Sequence, residues 1–131
     1  MADYTCKIVE CSKELSVKEK IKVKDLTNAI SIDSVVTDDT PLVITPDFYV
    51  VLEVHNERSK DKDYKKYVIF DKAGNKYTTG SDSFMNAFTG IYAEMLEAYG
   101  SADNFDDFSI EVYRKPSKNY AGKSFLSCSI M

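Results

Sequence analysis

The sequence predicts a mainly β chain: five strands closing into a small barrel, one amphipathic helix between the third and fourth strands, and an additional N-terminal strand. Three observations carry that reading. Most apolar stretches alternate with polar residues at a period of two, the pattern of half-buried strands. One stretch, from Phe84 to Tyr99, changes to spacings of three and four. At 131 residues, of which 44% are hydrophobic, the chain is long enough for one real core and short for two, so a single domain over residues 1–131 is expected.

Residues 4–11, YTCKIVEC, read as the added strand, and residues 12–16 turn the chain back. In residues 17–24, VKEKIKVK, Val17, Ile21 and Val23 fall on one side and Lys18, Lys20, Lys22 and Lys24 on the other. A half-buried strand with a lysine stripe is expected there, although such a stripe also serves simply to keep a sheet face or edge soluble. Residues 25–46 read as a long connection holding a short helical turn or strand fragment. Residues 47–56 give the clearest central strand, with Phe48, Val50, Leu52 and Val54 on one face. A charged hairpin loop, residues 56–66, leads into a strand at residues 67–70, and Gly74-Asn75 marks a tight turn into the return arm at residues 77–79.

Ser81, Asp82 and Ser83 offer capping oxygens to the helix, whose apolar stripe is Phe84, Phe88, Ile91, Tyr92, Met95 and Tyr99 and whose stop is Gly100. Gly90 inside it costs about 1 kcal/mol relative to alanine, which suggests close packing at that point. Beyond an acidic link, residues 108–113 and 125–130 alternate as the two arms of a closing hairpin. Its tip gathers Arg114, Lys115, Lys118 and Lys123 around Pro116, Ser117, Asn119, Tyr120 and Gly122. This order of strands and helix is that of an OB fold, a partly open Greek-key barrel that binds oligonucleotides.

Charge narrows the functional classes. Lysine and arginine number 17 against 21 aspartates and glutamates, a net charge of -4, which argues against holding nucleic acid by an overall basic field. The charges are segregated, however. Basic residues crowd into residues 7–24, 58–76 and 114–123, whereas Glu94, Glu97, Asp103, Asp106, Asp107 and Glu111 form an acidic stretch. The three cysteines and the single histidine, His55, lack the spacing of a metal site, and no phosphate loop or nucleophile elbow is present. No enzyme activity, metal or cofactor is expected. No apolar run approaches the roughly twenty residues of a membrane span, and no signal core follows the N-terminus, so no membrane partner and a cytoplasmic location with reduced thiols are expected.

The succession IKVKDLTNAIS, YVVLEV, YVIFDKAGNKYTTGS, the aromatic helix and FSIEVYRKPSKNYAGKSFLSCSI resembles the small single-stranded DNA-binding proteins of tailed phages infecting Gram-positive bacteria. The resemblance covers residues 20–130, and its closing pattern is similar at Ser117, Asn119, Gly122, Lys123 and Phe125. It implies an OB fold that coats unpaired strands in phage replication or recombination, in the host cytoplasm, with single-stranded DNA and replication or recombination proteins as partners. The ending SFLSCSIM lacks an acidic tail, which puts recruitment of partners through such a tail in doubt. On this reading Lys20, Lys22, Arg58, Lys62, Lys65, Lys66, Arg114, Lys115, Lys118 and Lys123 neutralise phosphates. Tyr64, Tyr67, Tyr113, Tyr120 and Phe125 stack bases, and the outward phase of Tyr67, Tyr113 and Phe125 predicts their exposure. The alternative is a phage protein-binding factor that inhibits a host nuclease or defence enzyme through its acidic stretch.

Overall fold

The computed structural model describes residues 4–100, 108–117 and 122–131. The fold is mainly β, with two sheets and three helices among the described residues. In chain order the elements are β1 (Tyr4–Cys11), α1 (Val17–Lys24), β2 (Ile30–Ser31), α2 (Ile32–Val35), β3 (Leu42–Ile44), β4 (Pro46–Asn56), β5 (Asp63–Asp71), β6 (Lys76–Thr79), α3 (Asp82–Tyr99), β7 (Ile110–Pro116) and β8 (Ser124–Ile130). A five-stranded sheet runs β1-β4-β5-β6-β2 and a three-stranded sheet runs β3-β7-β8. The expected five-stranded, partly open barrel is therefore corrected: the described strands form two sheets, of five and three strands. In chain order α3 follows β6 and precedes β7 and β8, as expected.

Contacts divide the chain into two compact units, Met1–Ile30 with Asp47–Gly80, and Ser31–Pro46 with Ser81–Met131. In the first, Val23, Phe48, Val50, Leu52, Val54, Val68 and Phe70 are buried together, with Cys6, Ile8, Cys11, Leu15, Leu26 and Tyr64 packed at the margin. Phe48 and Phe70 stack at 4.5 Å between ring centroids. The strand ladder is antiparallel at β1–β4 and β5–β6.

Residues 17–24 correct the expected lysine-striped strand, because they form α1. Ser16 accepts from the Glu19 N–H at 3.2 Å and Glu19 accepts from the Ser16 N–H at 3.0 Å, a capping box that satisfies two donors which a helix start leaves open. Of the apolar residues only Val23 is buried; Val17 and Ile21 are 74% and 65% exposed. A helix turns about 100° per residue, so Lys20 and Lys22 point to nearly opposite sides and the stripe dissolves.

In the second unit, α3 starts at the Ser81 hydroxyl, which accepts from the Phe84 N–H, and ends at Gly100, whose φ of +82° suits a residue without a β-carbon. Phe84, Phe88 and Tyr92 are buried on α3, as are Ile110, Val112, Leu126 and Cys128 on the hairpin. Ser83 ties the helix start to β8 through a 2.9 Å bond to the Leu126 carbonyl. Gly90 is exposed and a β-carbon there would meet nothing within 4 Å, so the close packing expected at this glycine is absent.

Candidate nucleic-acid interface

The β7–β8 hairpin is antiparallel, with Tyr113 opposite Ser127, Arg114 opposite Leu126 and Lys115 opposite Phe125. Because side chains alternate across a strand, Ile110, Val112, Arg114, Leu126 and Cys128 share one face. Glu111, Tyr113, Lys115, Phe125, Ser127 and Ser129 share the other. The first face, which also carries Ile130 opposite Ile110, is core except at Arg114 and at Ile130, which is 52% exposed. The second set forms an aromatic and basic platform: Phe125 is 39% exposed, Lys115 is exposed across from it, and the Lys115 ammonium lies 5.9 Å from the centre of the half-buried Tyr113 ring. The Tyr113 hydroxyl lies 2.6 Å from the Ser129 hydroxyl, which fixes the ring's tip. Glu111 sets an acidic limit to the platform on the side away from Lys115.

Arg114 takes a different place from the other cations. Its Nε donates to the Val36 carbonyl and an Nη to the Asp33 carbonyl, both at 2.9 Å, so its rigid fork ties β7 to the last turn of α2. Its charge still borders a cleft of about 400 Å³ lined by Asp38, Arg114, Pro116, Ser117, Gly122, Lys123 and Ser124. The Ser117 N–H closes the neck of the hairpin on the Lys123 carbonyl at 2.9 Å, and Lys123 is exposed beside it. Arg114 and Lys115 thus belong to β7 and lie below the tip. Lys118 and Tyr120, the remaining tip candidates, lie outside the described residues.

The other basic segment is arranged differently. The expected loop of residues 56–66 is shorter, because the Asn56 N–H bonds the Lys62 carbonyl at 2.7 Å and β5 begins at Asp63. Arg58 is exposed in that loop and Lys62 pairs with Glu57 at 3.2 Å. Tyr64, Lys65, Lys66 and Tyr67 stand on β5 instead. Tyr64 packs against the core of its unit, and Tyr67 is only 9% exposed, which corrects its expected exposure. The signal was in the sequence: YVIF is a continuous apolar run, and such runs belong to strands buried on both faces. Lys65 is exposed and Lys66 half-buried. Of the α1 pair, Lys20 and Lys22 are both exposed, Lys20 beside a separate cleft with Lys13, Glu14 and Cys11. The candidates therefore divide by unit: Tyr113, Arg114, Lys115, Lys123 and Phe125 come together in one, and Arg58, Lys62, Tyr64, Lys65, Lys66, Tyr67, Lys20 and Lys22 belong to the other.

The sequence argues only that His55 lacks the spacing of a metal site; its carboxylate partners emerge in the fold. Its Nδ1 lies 2.7 Å from Asp63 and its Nε2 2.8 Å from Glu57. Asp63 first and Glu57 second raise its pKa, and Glu57 is in turn lowered by His55 and Lys62. With both ring nitrogens held by carboxylates, the imidazole is a bridge at the mouth of the β4–β5 loop. Burial pushes the Cys128 thiol up to about 11, which keeps it a neutral core group.

No group of three or more potential metal-ligating side chains occurs among the described residues. No helix among them is long and apolar enough to cross a membrane. No protein-family model, curated protein or solved structure matches the chain.

Proposed function

We propose that this chain binds single-stranded DNA without reading its sequence, and that the outer face of β7–β8 is where bases stack. The observation that carries the proposal is the shared face of Tyr113, Lys115 and Phe125, with a large aromatic left in solvent directly opposite a lysine. An exposed aromatic next to a cation meets a base with its face and the adjoining phosphate with its charge, and every base has such a face. Lys123 and the cleft edge beside Arg114 extend positive charge toward the hairpin neck, where a backbone would continue. A net negative chain can do this because a local patch suffices for contact.

The finer readings go with this proposal. An OB-type scaffold is supported by the order of strands, helix and closing hairpin, and a role in phage replication or recombination, in the host cytoplasm and with proteins of those processes as partners, by the resemblance of residues 20–130. The mechanism is binding and coating, with no catalytic step. Titration with fluorescent oligothymidine at two salt concentrations tests it. Binding that weakens with salt supports the proposal, and absence of binding at low salt ends it in favour of the protein-inhibitor reading.

A further inference from the structure

β1 is an outer strand of the five-stranded sheet: β4 pairs with one side of it and, among the described residues, no strand pairs with the other. Eight residues in that position turn a row of peptide N–H and C=O groups outward, a template for another strand. Such edges are usually blunted by proline, by clustered lysines or by a bulge. β1 has no proline and one lysine; of these devices it carries only the register shift between Ile8 and Glu10, and Tyr4 and Val9 are about half exposed.

The shift also reverses the side on which later residues project. Cys6, Ile8 and Cys11 consequently all pack on the core, whereas Lys7 and Glu10 are both exposed, Lys7 across from Glu53 and Glu10 within 3.4 Å of the Tyr49 hydroxyl. We infer that β1 pairs with β1 of a second copy of this chain, antiparallel about a two-fold axis between positions 8 and 9. In that register Lys7 stands opposite Glu10 of the second copy and Cys6 opposite its Cys11, each twice by symmetry. Cys6 and Cys11 meet on the core side and opposite charges meet on the outer side, while the two register shifts, with Ile8 opposite the half-exposed Val9, fall at the axis. Sliding the strands until Lys7 faces Lys7 would oppose like charges, which disfavours that alternative. The edge is thus self-complementary in charge and in face, and the partner it fits is itself.

Sedimentation equilibrium of the full chain tests this. A dimer is expected. Lys7→Glu alone and Glu10→Lys alone each place like charges opposite one another at two points and weaken it by about tenfold, and the double variant restores it by re-forming the pair in reverse. A second measurement stands apart from the variants' stability: a short bismaleimide should join Cys6 to Cys11 between copies, giving a covalent dimer on a denaturing gel that Cys6→Ser abolishes. The inference is overturned by a monomer at every concentration, by a double variant no tighter than the single ones, or by cross-linking that survives Cys6→Ser.

Discussion

β5 and the β7–β8 hairpin are built from similar residues and use them in opposite ways. Each sets tyrosines among lysines, YKKY on one and YRK on the other. On β5 the lysines lead into a run buried on both faces, so Tyr67 becomes core and Tyr64 packs at its margin. On the hairpin the aliphatic residues occupy one face, and on the other Phe125 is 39% exposed with Lys115 exposed opposite it. Aromatic and basic composition therefore does not distinguish a stacking surface from a charged strand end. What distinguishes them is whether the apolar pattern alternates through the aromatic or runs on past it.

The sharpest way to break this contrast is a pair of truncations. Tyr67→Ala should destabilise the fold by about 3 kcal/mol, the cost of a buried aromatic and the cavity it leaves, as read from denaturant unfolding. Phe125→Ala should leave unfolding nearly unchanged and weaken oligothymidine binding by about 1–3 kcal/mol. If Phe125→Ala binds as wild type does, the platform is an ordinary sheet face. Charge should separate in the same way. Lys115→Ala and Lys123→Ala should each lower the slope of log affinity against log salt by about 0.7, one phosphate contact on a single strand, while Lys62→Ala, whose ammonium is engaged by Glu57, should change it less. The smallest effect expected is at His55. Its pKa is raised by Asp63 and Glu57, so its stabilisation is complete below the ordinary imidazole range and is lost as pH rises through the raised value. Melting temperature followed across neutral pH should show that slope, and His55→Gln should flatten it.

How much of this was legible follows from how local each signal is. α3 was readable with both ends because its stripe, its serine cap and its terminal glycine lie in one continuous stretch. The hairpin arms and the central strand β4 were readable from strict alternation. α1 was misread because VKEKIKVK fits a two-residue period as well as a helix. The discriminating signal was Ser16 followed by Glu19, a capping box just ahead of the ambiguous run. The tie from Arg114 to α2 was not readable at all, since it joins residues about eighty positions apart through backbone carbonyls that every residue possesses. Division into two sheets was hidden for a similar reason: strand pairing is a long-range choice that periodicity within a strand does not record.

One tie of this kind bears on the order in which the chain assembles. The Lys76 ammonium donates to the Lys22 carbonyl at 3.0 Å and to the Asp25 carbonyl at 2.7 Å, across 54 and 51 positions. It meets the chain where α1 ends, as a second donor to the Lys22 carbonyl, which also accepts the Asp25 N–H at 3.2 Å, and as a donor to the Asp25 carbonyl just beyond. The β5–β6 turn that carries Lys76 closes over a few residues, with Phe70 opposite Lys76, whereas fastening α1 requires a loop roughly ten times longer. A nascent α1, eight residues long, is too short to persist unaided. It should therefore dock only after β5 and β6 have paired, and pulse-labelled hydrogen exchange should find the amides of β5–β6 protected before those of α1. Earlier protection of α1 would mean that its capping box, and not the lysine fifty residues downstream, is what holds it.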